Sequence, residues 1–325
     1  MNKRFFKYLK YIFPFILTAL IFYIFLKKTS LESIREYKNL LKIEYLFLFF
    51  ILSLVGTILR TIRYWILLEK KLGFFDLFLI TLVRNFSVDL LPARTASLLF
   101  YTYFTNKEGV NIEEGGASFI VSMFYDLLSL SVLLSFALLY LSSFDNRGGL
   151  FWAVLFIFTL SLFFIFFSGN ILSIISHIKF INKFKKIKVA LIEIEMYFEK
   201  HNSLMERLEL FFLSIFIRAF KYFSLFILFV SLTNTTFAIE KIAIFSFGIS
   251  ATELSSILPV QGLAGFGTWE LAFKYVFTIL RIKLKNPFIV GFIIHTITQV
   301  WEYLIGLIAL IFLFLKRRVQ KDIWF

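Results

Sequence analysis

Long apolar runs recur along nearly the whole chain, at 11–26, 44–68, 74–104, 117–141, 150–168, 208–232, 238–280 and 288–315. A helix needs roughly 20 apolar residues to cross the hydrocarbon of a bilayer. Lipid offers backbone groups no partner, so a spanning segment must be a helix or a strand of a closed barrel. No run alternates with the two-residue period of a barrel strand. Composition excludes the remaining option, a soluble core. With 59% hydrophobic residues, 47 Phe among 325 and only 17% charged, a globular interior cannot hide the apolar side chains. The expectation is an all-α fold, a polytopic transmembrane bundle of about six to eight spans forming one domain over 1–325.

The net charge of +14 is concentrated at the ends of these runs. Lys3, Arg4, Lys7 and Lys10 precede the first; Lys179, Lys183, Lys185, Lys186 and Lys188 follow the fifth; Lys316, Arg317, Arg318 and Lys321 end the last. That placement follows the positive-inside rule and puts both termini and the 169–207 segment in the cytoplasm of a cell whose inner, plasma membrane holds the protein. It speaks against a nucleic-acid partner, which would call for an interleaved basic and aromatic module outside the spans. The first run has a basic head but no small-x-small cleavage site, and reads as a retained anchor. Within 169–207, Phe180, Phe184, Ile187, Leu191, Ile194 and Phe198 recur at helical spacing beside lysines. This pattern predicts an amphipathic helix on the cytoplasmic leaflet, or one packed against protein.

Two runs exceed one span and are interrupted. Residues 74–104 contain Leu90-Leu91-Pro92-Ala93-Arg94, and residues 238–280 contain Leu258-Pro259 followed by Gly262, Gly265 and Gly267. Proline removes a backbone donor and clashes with the preceding turn, so each helix should break there. Two hairpins that enter and return would leave six full spans and place Arg281, Lys283 and Lys285 outside. Broken helices at corresponding places in two halves, about 1–168 and 208–325, are the pattern of inverted repeats around a binding site. The alternative is a pair of unrelated kinks.

Arg60, Arg63, Arg84, Asp89, Arg94, Asp126, Arg218, Lys221, Glu253, Glu270, Lys274, His295 and Glu302 fall within or beside apolar runs. Facing lipid, such a set costs on the order of 30 kcal/mol, more than the ~5–15 kcal/mol that holds a fold together. Most must therefore face one another, a wet cavity or the headgroups. Spacings of three, four and seven put Ser118, Ser122, Tyr125, Asp126 and Ser129 on one helix side. Ser214, Arg218, Lys221 and Tyr222 share another, and His295, Gln299 and Glu302 a third. These stripes read as the lining of a polar pathway, or as ion pairs that only fix helix contacts. Arg60 and Arg63, near Trp65 and Glu69, read as snorkelling to the cytoplasmic surface.

Recognisable catalytic chemistry is sparse. The chain has no Cys, and its three histidines, His177, His201 and His295, are far apart, so neither a thiolate nor a paired-His metal site is expected. No P-loop or Gly-x-Ser-x-Gly elbow occurs. No cofactor or metal is expected, and an enzyme is the weaker reading.

The two interruptions carry a likeness. Asn85 to Phe104, NFSVDLLPARTASLLFYTYF, resembles the N-x-x-L-P-x-R-x-G-E-x-x-R stretch of a flippase-like family that includes the transmembrane domain of lysylphosphatidylglycerol synthases. Leu258 to Ala272, LPVQGLAGFGTWELA, resembles its second signature, a Pro followed by a Gly-x-Gly-x-x-Glu turn. Asn85, Pro92 and Arg94 match the first; Pro259, Gly265, Gly267 and Glu270 match the second; Asp126 falls where the family tends to carry an acid. The sequence departs from the pattern at Ala96, Ser97 and Phe100, and at Met123, where an Arg is common.

The resemblance implies translocation of lipids between leaflets. Arg94, Arg218 and Lys221 would hold a headgroup phosphate, assisted by Asn85, Asp126 and the half-helix N-termini around Gly265–Gly267. Glu253, Glu270 and Glu302 would neutralise those cations, with Glu270 equally suited to capping the Gly-rich turn. The partners expected are anionic membrane lipids or lipid-linked sugars. The alternatives are a membrane-embedded transferase using a lipid carrier and a helper of a lipid-modifying enzyme.

Overall fold

The computed structural model describes residues 23, 37, 40–90, 95–141, 147–176, 192, 195–197, 200, 203–253, 255 and 262–322. Among them all regular structure is helical. The helices are α1 (Ile43–Leu67), α2 (Phe74–Phe86), α3 (Thr95–Lys107), α4 (Ile112–Leu138), α5 (Arg147–Ser176), α6 (Leu204–Thr233), α7 (Ile239–Glu253), α8 (Thr268–Ile279) and α9 (Pro287–Asp322), with a 3-10 turn at Leu263–Gly265. α1, α4, α6 and the stretch Pro287–Lys316 of α9 are 25 to 30 residues long and apolar enough to cross a membrane. At 1.5 Å per residue, 25 residues reach about 37 Å.

α2 and α3 have 13 residues each, α7 has 15 and α8 has 12. Thirteen residues reach roughly 20 Å, short of the ~30 Å hydrocarbon core. Each of the two long interrupted runs is thus a pair of half-length helices meeting inside the bundle. Pro92, Arg94 and Pro259 lie outside the described residues. The second turn closes on Ala264, Gly265 and Gly267, whose φ values are +53°, +77° and +88°. Glycine adopts such angles without strain, which accounts for two of the three residues there.

The order long helix, two short helices, long helix occurs twice, as α1, α2–α3, α4 and as α6, α7–α8, α9. Packing obeys the same exchange. α2 lies on α9 as α7 lies on α4; α3 lies on α4 as α8 lies on α9; α1 touches α2 as α6 touches α7. The counterparts α1 and α6 pack on each other along their length and run antiparallel. The Lys42 N–H donates to Ser231 Oγ at 3.1 Å, Gly56 lies against the Ile217 carbonyl, and Arg63 reaches Ser214 Oγ at 2.7 Å. The second half is therefore upside down relative to the first, an inverted repeat.

Large apolar side chains cover much of the outside, and the largely apolar interior also holds a set of buried polar groups. Ile51, Leu54 and Ile58 of α1, Phe156 and Phe163 of α5, and Leu304, Leu307 and Ile311 of α9 are exposed. Arg63, Arg84, Asn85, Glu270, His295 and Gln299 are buried. Of the predicted amphipathic stripe, Phe180, Phe184, Ile187, Leu191, Ile194 and Phe198 lie outside the described residues. Nearby Tyr197 is buried and donates to the Leu67 carbonyl at 2.6 Å, tying this segment to the end of α1.

Small residues let helices close up. A Cβ on Gly306 of α9 would lie 2.3 Å from Phe86 Cβ and 3.1 Å from the Leu82 carbonyl of α2. Overpacking typically costs about 1–3 kcal/mol, and a collision with atoms fixed to the backbone belongs at the upper end. Gly306→Val is expected to lower the thermal unfolding midpoint in detergent by several degrees. Gly116→Ala, with nothing within 4 Å of its added Cβ, should leave that midpoint where it is.

Candidate functional site

The tips of both hairpins meet the inner faces of α1, α6 and α9 around a cavity of about 140 Å³. A single water requires roughly 10–15 Å³ on the same measure, so the space holds several waters or a small polar group. Its walls carry four cations, Arg60, Arg84, Arg218 and Lys221, and four acids, Asp89, Asp126, Glu253 and Glu302. Polar side chains that lipid would exclude are thus collected around one interior cavity.

α1 supplies the arginines. Arg63 is fully buried, and its Nη1 donates to Asp126 Oδ1 and to Ser214 Oγ, both at 2.7 Å, joining α1, α4 and α6. Arg60 lines the cavity and donates to Asn85 Oδ1 at 2.8 Å. The expectation that both snorkel to the surface is therefore corrected. Asp126 and Asn85 give these guanidiniums internal partners, and an ion pair inside the bundle removes the reason to reach for water. A signal was present: Ser53, Thr57, Arg60 and Tyr64 recur at four, three and four, the same stripe spacing found on the other helices.

α6 supplies a second cationic pair that is well matched. Arg218 donates from Nη1 to Tyr222 Oη at 2.7 Å and from Nη2 to the Asp126 carbonyl at 2.9 Å. Lys221 Nζ lies 2.6 Å from Glu253 Oε1 at the end of α7, and Arg218 lies 4.0 Å from the same carboxylate. The serine stripe of α4 also faces inward. Ser118 meets Tyr101 Oη at 3.1 Å and Ser122 donates to Tyr64 Oη at 3.0 Å, fixing α4 against α3 and α1.

The second hairpin is anchored to α9 by a chain of polar contacts. Glu270 Oε2 accepts the Gly267 N–H at 2.5 Å, capping α8, and Oε1 meets His295 Nδ1 at 2.6 Å. His295 sits between the rings of Phe266 and Trp269, at centroid distances of 4.6 and 4.8 Å. Gln299 Nε2 lies 3.1 Å from His295 Nε2 and donates to Asp89 Oδ2 at 2.6 Å. The amide hydrogens fill both contacts, so His295 Nε2 is the acceptor, and its Nδ1–H donates to Glu270. The chain runs from hairpin two through α9 to hairpin one.

Of the residues singled out in the sequence, Asn85, Asp126, Arg218, Lys221, Glu253 and Glu302 line this one cavity. Gly265 lines it as well, whereas Gly262 and Gly267 are buried beside it in the turn. Glu270 is fully buried and does not line the cavity; its partners are the Gly267 N–H and His295, so it neutralises none of the lining cations. Lys274 is exposed on α8. His295 and Gln299, from the stripe expected on α9, line it too, and Arg60, Arg84 and Asp89, which were not assigned to an inward stripe, join them.

Four helices long and apolar enough to cross a membrane, with half-length helices closing on a charged interior cavity, define a multi-pass membrane protein. The chain belongs to the family described as lysylphosphatidylglycerol synthase TM region, whose match covers residues 11–306. No curated protein and no solved structure matches it.

Proposed function

We propose that the protein moves an anionic phospholipid or lipid-linked sugar between leaflets of the plasma membrane, with both termini cytoplasmic and no covalent reaction. The reading rests on one observation: a cavity walled by eight charged side chains lies inside a bundle with large apolar side chains over much of its outer surface. A headgroup crossing ~30 Å of hydrocarbon needs such a replacement for water, while its tails stay in lipid. The inverted halves supply a symmetric pair of hairpins that can rock about this fixed site. Membrane lipids are then the ligands, and a lipid-modifying enzyme is a fitting supplier or user of the cargo.

Leaflet exchange in proteoliposomes tests this. Fluorescent phosphatidylglycerol, phosphatidylethanolamine and a polyprenyl phosphate are bleached from outside with an impermeant reductant. The protein is expected to accelerate exchange of a phosphate-bearing anionic lipid over protein-free vesicles. Failure with all three, under imposed pH gradients of either sign, would leave translocation without support and favour a transferase or a helper.

A further inference from the structure

Four cations line the cavity, but they are not equally satisfied. Lys221 and Arg218 have Glu253, and Arg218 also has Tyr222 and the Asp126 carbonyl. Arg63, just behind the wall, has Asp126 and Ser214. Arg60 and Arg84 differ. Both donate from Nη1 to the same atom, Asn85 Oδ1, at 2.8 and 3.1 Å, and neither forms an ion pair among the described residues. Among the described residues the Nε of each is buried with no hydrogen-bond partner, a shortfall that Arg63 shares at Nε and Nη2 but offsets with its ion pair to Asp126, and the Arg84 residue is only 4% exposed. Asp89 and Glu302 line the same cavity without closing onto either guanidinium.

Two like charges close enough to share one neutral acceptor repel each other strongly in a low-dielectric interior. An uncompensated buried charge is among the costliest features a fold can hold. Asn85 orients the two forks but supplies no negative charge. Asp126 acts on Arg60 and Glu302 on both guanidiniums at longer range, and Arg84 faces the Phe119 ring at 5.4 Å, but among the described residues no carboxylate is in hydrogen-bond reach of either fork. Two guanidiniums offer more donors than the two oxygens of a carboxylate accept, and they match the tetrahedral oxygens of a phosphoester.

We infer that Arg60 and Arg84, oriented by Asn85, form the seat for a phosphoester anion in this cavity. Arg218 and Lys221, already matched by Glu253, shape the wall. The inference rests on the lipid-translocation reading for the source of the phosphate. The same chemistry would also take a soluble phosphate.

The test uses the full-length protein in detergent, with dihexanoyl phosphatidylglycerol, glycerol phosphate, inorganic phosphate and laurate as probes and dissociation constants from titration calorimetry. Saturable binding of the short-chain lipid is expected, weakened at least tenfold by Arg60→Gln or Arg84→Gln and unchanged by Lys241→Gln on the exposed surface. Arg60→Lys and Arg84→Lys keep the charge and lose the fork. They are expected to melt with the wild-type protein yet bind the lipid several-fold more weakly, which separates binding from folding. Glycerol phosphate and inorganic phosphate should bind more weakly than the lipid and respond to the same variants. Equal affinity for inorganic phosphate would keep the seat but make its ligand soluble.

Lipid binding indifferent to all four arginine variants would overturn the assignment, as would laurate binding as tightly as the phospholipid. Leaflet exchange on the same samples separates the two readings. Arginine-dependent binding without exchange keeps the seat and removes translocation. Exchange indifferent to both arginines keeps translocation and removes the seat.

Discussion

Arg63→Ala, just behind the cavity wall, is expected to destabilise the protein more than any single change in the wall itself. It leaves Asp126 charged, inside the bundle, with only 16% of its side chain exposed and its 2.7 Å partner gone. Breaking a buried pair from one side costs about 3–5 kcal/mol, because the surviving charge is uncompensated. Partial access of Asp126 to the cavity water places this case at the lower end. Replacing both partners, as Arg63→Met with Asp126→Leu, removes the stranded charge and should recover most of the loss. The Asp126 carbonyl still accepts from Arg218 in that variant, since the contact is to the backbone. Unfolding of the reconstituted proteins measures both variants. A double variant no more stable than Arg63→Ala would show that the stranded Asp126 charge is not the source of the loss.

Glu270→Gln is expected to have the second-largest effect, through polarity rather than size. The Gly267 N–H requires an oxygen opposite it, so the new amide nitrogen must face His295 Nδ1. His295 then has to carry its proton on Nε2, which confronts the Gln299 amide hydrogens at 3.1 Å. Gln299 can turn its Oε1, which has no partner among the described residues of the wild-type protein, toward the histidine. That turn sets the same oxygen against Asp89 and breaks the 2.6 Å bond between α9 and the first hairpin. Losing one charge-assisted hydrogen bond costs about 1.5–3 kcal/mol. Adding Asp89→Asn restores a donor at the far end of the chain, so the double variant should regain the lost stability with the histidine proton moved. Nitrogen NMR of labelled His295 reads the tautomer, with Nδ1–H expected in the wild type and Nε2–H in both variants. An unchanged tautomer in Glu270→Gln would contradict the polarity of the chain.

The helices, their breaks and the inward stripes were legible because each depends on local spacing. Pro92 and Pro259 predict breaks from the local chemistry of proline, and Ser118, Ser122 and Asp126 share a face by period alone. Contacts between stripes were not legible. Whether Arg63 turns to solvent or to Asp126 depends on the crossing of α1 with α4, which no spacing within α1 encodes. Trp65 and Glu69 beside it suggested an interface, and that local cue gave way to a tertiary one. Glu270 was legible as a cap, since a carboxylate three residues after Gly267 suits a helix start. Its second bond, to a histidine 25 residues away, was not. The division of the cations into matched and unmatched pairs likewise appears only when four helices and two hairpins are brought together.

The absence of cysteine from the chain permits a direct test of the cavity as the route of the headgroup. Thr298→Cys places a single thiol on the cavity wall, and Leu307→Cys places one on the exposed side of the same helix. Each variant is reconstituted, modified with a bulky methanethiosulfonate and assayed for leaflet exchange before modification, after it and after reduction. The account predicts that modifying Thr298→Cys stops exchange, that reduction restores it, and that modifying Leu307→Cys changes nothing. Exchange that continues at its original rate with Thr298→Cys fully modified would contradict passage through this cavity.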